Sequence, residues 1–90
     1  MVTYQLAVHE GYSDRPGPGL VVRLQRSSAW DVLPEAGDHV KISDKLGSLG
    51  VRGRLVDPWS GWASILLSDF WCCGEDRGDI VDVLREEGWA

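Results

Sequence analysis

No stretch of the 90-residue chain approaches the ~18 consecutive apolar residues that a membrane span needs. The opening residues Met1-Val2-Thr3-Tyr4-Gln5 also lack the basic and apolar blocks of a secretion signal, so the expected location is the cytoplasm. Cysteine is scarce: Cys72 and Cys73 are the only two, and they are adjacent. Neighbouring thiols bridge each other only in a strained ring, so they cannot staple distant parts of a fold. They read as reduced thiols, one buried as a small hydrophobe and the other facing outward. Metal-ligand spacing is missing as well, because His9 and His39 stand apart from the cysteines and from each other. No glycine-rich phosphate loop and no nucleophile elbow occur. The acidic neighbours Glu75-Asp76 and Glu86-Glu87 would point about 100° apart on a helix, which suits a solvated face rather than a catalytic dyad. The expectation is therefore a protein without metal, cofactor or intrinsic catalysis.

The chain has the composition of an ordinary globular domain. Apolar residues make up 43% and charged residues 26%, which excludes disorder as the default. With no linker, repeat or low-complexity tract, residues 1–90 read as a single domain. A chain this short buries only ~60–65% of its unfolded surface, so its core must be efficient. Five tryptophans (Trp30, Trp59, Trp62, Trp71 and Trp89) answer that need, and tryptophan also marks binding surfaces. Fourteen acids against nine bases give a net charge of −5, which favours solubility and repels phosphate backbones. The candidate basic patch is Arg52-Gly53-Arg54 with Arg23 and Arg26, and Asp38, Asp44 and Asp57 are near enough in sequence to neutralise it.

Alternation at Val2, Tyr4, Leu6 and Val8 predicts a half-buried strand. Residues 10–19, rich in Gly and Pro, read as a long exposed loop. Residues 20–26 alternate again, with Leu20, Val22 and Leu24 on one face. Trp30, Val32 and Leu33 lead to a turn at Pro34. Short strands are predicted at 39–43 and 51–57, separated by a loop over 44–50. A tight turn at Asp57-Pro58-Trp59-Ser60-Gly61 then leads to a returning strand at 62–68. The period changes near the end, where Asp79 reads as the cap of a short helix over 79–87, stopped by Gly88. The β-branched Ile80, Val81 and Val83 keep a strand in contention there. The sum is a mainly β protein: a small, five-stranded, bent β-barrel or roll with a short C-terminal helix. An open α+β sandwich is the alternative.

Gly37-Asp38-His39-Val40-Lys41-Ile42, followed by Gly50-Val51-Arg52-Gly53-Arg54-Leu55, resembles the KOW-type hairpin of SH3-like barrels over residues 37–57. In that family a Gly-Asp turn opens one strand and a Gly-x-x-Gly loop opens the next, the glycines permitting positive φ and close strand approach. Here the loop is one residue longer, and Leu49 stands where the family tends to carry a basic residue. The resemblance implies a module that binds RNA or proteins of transcription and translation.

Trp59 sits at the tip of its turn, where burial is hardest, so it is the expected exposed ring, suited to gripping a peptide or stacking on a base. Trp62 begins the returning strand and is expected to be buried beside it. Arg77-Gly78-Asp79 spells an adhesion tripeptide, for which Asp79 as a helix cap is the sufficient explanation. Two functions remain open. The first is a cytoplasmic protein-interaction module using Trp59 and Trp62. The second is a nucleic-acid-binding barrel using Arg52, Arg54 and exposed rings, which the net charge disfavours. A more distant third is a small enzyme or metal protein centred on Cys72 and Cys73. Partner identity and oligomeric state are not legible.

Overall fold

The computed structural model describes residues 1–12, 15–29, 33–72 and 76–90. Trp30, Val32, Cys73 and Glu75, each given a role above, lie outside the described residues. Those described form six strands and a helix: β1 (Val2–Tyr12), β2 (Arg15–Ser28), β3 (His39–Ser43), β4 (Gly47–Asp57), β5 (Trp62–Leu67), β6 (Phe70–Cys72) and α1 (Arg77–Glu86). The sheet runs in the order β2-β1-β5-β4-β3, with β6 also paired to β1. β1 pairs antiparallel with β2 and parallel with both β5 and β6.

Alternation sorts the side chains as the period of two requires. Val2, Leu6 and Val8 of β1 face inward and meet Ala63, Ile65 and Leu67 of β5, with Leu24, Ile42, Val51, Cys72, Leu84 and Trp89 completing the core. Each fully buried aliphatic side chain contributes about 1.5–3 kcal/mol. The opposite face of the same strands carries Thr3, Gln5, Ala7 and His9, with Gln25 and Arg23 directly across on β2.

The mainly β reading and the terminal helix hold, but several details differ. Among the described residues there are six strands rather than five, because Phe70–Cys72 pairs with β1. The sheet is not closed into a barrel: among the described residues its edge strands β2 and β3 do not pair. The segment expected to be a long loop instead extends the β1–β2 ladder to Tyr12↔Arg15. Its prolines are tolerated because β2 is an edge strand, where a missing N–H disrupts no second ladder. A register shift pairs Val8 with Val22 but His9 with Leu20, so Leu20 falls on the outer face and is exposed rather than aligned with Leu24. The 44–50 loop shrinks to a turn, with β4 beginning at Gly47. In the KOW-like segment, positive φ occurs at Gly37 (96°) and Gly47 (90°), not at Gly50 or Gly53.

The helix begins two residues earlier than expected. Asp76 occupies the N-cap position without a side-chain cap bond, and Asp79 lies in the first turn instead. The helix ends in a Schellman arrangement: Gly88 takes φ 103°, its N–H donates to Arg85 O (3.2 Å), and Trp89 N–H donates to Leu84 O (3.0 Å). The chain then turns onto the sheet. Gln25 and Ala90 exchange both main-chain hydrogen bonds, at 2.8 and 2.9 Å, while the Trp89 indole reaches Ile42 on β3. The gap between the two sheet edges is thus spanned by Trp89 and Ala90.

Candidate functional site

The outer face acquires a concavity where β1 changes partner. Along one edge β1 pairs with β5 as far as Gln5↔Leu66 and resumes with β6 at Val8↔Phe70. The facing chain therefore advances one residue more than β1, and the excess is taken up at Ser68-Asp69. Ser68 N–H donates to Gly50 O at 2.8 Å, which holds this kink against β4.

The kink brings the Asp69 carboxylate to the outer face, where Oδ1 lies 3.3 Å from His9 Nε2 and 3.6 Å from Arg52 Nη1. The imidazole of His9 stacks on Trp71, with ring centroids 4.7 Å apart and planes inclined by 28°. Cys72 points inward and donates its Sγ–H to the His9 main-chain carbonyl at 3.4 Å, so it meets the backbone of His9 rather than its ring. Beside this cluster lies a groove of about 660 Å³ whose lining includes Ala7, Arg23, Gln25, Arg52, Leu66 and Asp69. Ala7 leaves the floor open because a methyl group cannot fill the space between Arg23 and the β5–β6 kink. At one end, Gln5 donates to Ser64 Oγ at 2.7 Å and is held in place. The volume falls within the usual range of small-molecule and short-peptide sites.

No family model, curated protein or solved structure matches the chain. Its own geometry is what describes the site.

The two arginines expected to form one basic patch are separated. Arg52 lines the groove beside Asp69, whereas Arg54 lies 4.0 Å from Glu35. Their neutralising partners are thus Asp69 and Glu35, not Asp38, Asp44 or Asp57. Lys41 pairs with Asp44, and the hydrogen bond and charge between them raise the Lys41 pKa and lower that of Asp44.

Trp59 is 95% exposed. The Asp57 carboxylate builds its turn, accepting from the main-chain N–H of Trp59 (3.1 Å) and of Ser60 (3.4 Å), and from Ser60 Oγ (2.7 Å). These hydrogen bonds, the Ser60 hydroxyl first, hold the Asp57 carboxyl below the ordinary carboxylate range. Trp62 is not buried as expected but 38% exposed, because Ala63 takes the inward position and leaves Trp62 on the outer face. Diagonal from it on that face stands Leu55 (65% exposed), and diagonal from Leu55 stands Leu66 (46%).

His9, Asp69, Trp71 and Arg23 were not singled out from sequence as one site. The outward phase of His9 was legible from alternation, but its meeting with Asp69 depends on a one-residue excess that no periodicity reveals. Among the described residues no group of three His, Cys, Asp or Glu side chains could hold a metal ion, and no helix is long and apolar enough to cross a membrane.

Proposed function

We propose that this protein is a non-catalytic, cytoplasmic protein-interaction module whose binding surface is the outer face of the sheet. The observation that carries this reading is the diagonal row Trp62, Leu55 and Leu66, three large apolar side chains left exposed on one face. Apolar side chains gathered in one row stabilise an interface by losing water contact, and tryptophan is prominent among residues that dominate binding energy. Trp59, at the tip of the β4–β5 hairpin, extends the row beyond the sheet. The KOW-like segment supports the same class of role, since its β3–β4 hairpin is the part whose sequence resembles SH3-like barrels.

A nucleic-acid role through Arg52 and Arg54 has less support, because each arginine already faces a carboxylate and the chain carries a net charge of −5. Affinity capture from native lysate with wild-type protein and Leu66→Asp, with and without nuclease, tests the proposal. The expected result is a discrete protein partner that survives nuclease and is lost with Leu66→Asp. Capture abolished by nuclease, or unchanged by Leu66→Asp, would overturn it.

A further inference from the structure

We propose that the groove beside the β5–β6 kink receives a carboxylate side chain of the partner protein, so that the module selects an extended segment with an acidic residue flanked on one side by apolar ones. This rests on the protein-interaction reading above and specifies the partner's chemistry. The chain as a whole has nine basic and fourteen acidic side chains, yet the charged side chains lining the groove are Arg23 and Arg52 against the single acid Asp69. Asp69 is already engaged by His9 and Arg52, while Arg23 is exposed and has no ion pair among the described residues. An arginine fork facing a groove is suited to a planar carboxylate.

Leu66 both lines the groove and ends the apolar row, so one extended segment reaches both places. An acidic residue held by Arg23 places its neighbouring side chains along Leu66, Leu55 and Trp62. The Gln25 side chain, directly across from Gln5, supplies amide donors and acceptors to the segment's main chain. The groove suits a single carboxylate rather than a polyanion. A nucleic-acid strand brings a charge at each nucleotide and needs a basic track, whereas this groove holds two arginines with a fixed aspartate between Arg52 and His9.

The test is selection of a random heptapeptide display library on the immobilised protein, followed by affinity measurement with the enriched peptides. Enriched peptides are expected to share one Asp or Glu position with large apolar residues on one side of it. Arg23→Gln, an exposed change on an edge strand whose folding is checked by thermal melting, is expected to weaken them roughly tenfold or more, as is replacing the acidic residue by its amide. Enriched peptides that lack a fixed acidic position and bind Arg23→Gln as well as wild type, but not Leu66→Asp, would overturn this inference and leave the protein-interaction reading standing. Failure to enrich any peptide would overturn both. Displacement of the enriched peptide by millimolar inorganic phosphate, or by an oligothymidylate more effectively than by the peptide itself, would assign the groove to phosphate or nucleic acid and equally overturn it.

Discussion

The indole N–H of Trp89 donates to the main-chain carbonyl of Ile42 at 2.9 Å, joining residues 47 positions apart in a buried contact. The ring fills the space between the helix and β3, and its N–H satisfies a carbonyl that the ladder leaves free. Trp89→Ala is expected to destabilise the protein by ~3–5 kcal/mol. Trp89→Phe preserves most of the packing but strands the Ile42 carbonyl, at a cost of about 1–3 kcal/mol. Urea denaturation followed by circular dichroism checks both; an alanine variant as stable as wild type would remove Trp89 from the core.

Gly88 occupies the left-handed region at φ 103°, and a Cβ there would stand 3.3 Å from Arg26 Nε. Gly88→Ala is expected to lose about 1–2 kcal/mol through backbone strain. Gly88→Asn should lose less, because asparagine tolerates this conformation better. Thermal melts should rank wild type above the asparagine variant and that above alanine. Any other order would mean that contact with Arg26, not the backbone, decides the site.

Trp59 makes its contribution outside the fold. At 95% exposure, Trp59→Ala is expected to cost less than ~1 kcal/mol of stability while weakening partner binding. Trp62→Ala, with more of its ring covered, should cost more stability than Trp59→Ala. Chemical denaturation and the affinity of a captured partner separate the two effects. A loss of ~3 kcal/mol or more from Trp59→Ala would place Trp59 in the core.

Asp57 gives the β4–β5 turn a pH dependence of definite sign. Its folded pKa is lowered, chiefly by the Ser60 hydroxyl. Its contribution to stability is therefore complete above the ordinary carboxylate range and disappears as pH falls through the depressed folded value. The stability difference between wild type and Asp57→Ala should be flat near neutrality and narrow at acidic pH. A difference that widened on acidification would contradict the hydrogen-bonding pattern.

Much of the fold was legible because alternation is a local signal. Val2, Leu6 and Val8 announce an inward face, and Pro58 with Gly61 announce a turn that does present Trp59. The departures have local causes of another kind. Leu20 moved to the outer face through a single register shift, and β4 gained its first residues because Gly47, not the following loop, made the turn. Trp62 faces outward because Ala63 takes the inward position, a phase that alternation along β5 carries. The groove was illegible for a deeper reason. His9 and Asp69 meet only because β1 takes two parallel partners in succession, and parallel pairing between distant segments leaves no short-range mark in sequence.

That succession also dictates an order of assembly. The β1–β2 ladder pairs residues no farther apart in sequence than Val2 and Ser28, whereas β1 gains β5 and β6 through residues about sixty positions away. Until those arrive, the apolar row Val2, Leu6 and Val8 and one full edge of β1 stay open to water. Closing so long a loop before any reward is collected slows folding relative to helical domains of the same size. During synthesis β1 must therefore wait until β5 (Trp62–Leu67) and β6 (Phe70–Cys72) have emerged, and an early-exposed edge of this kind invites pairing with another nascent copy.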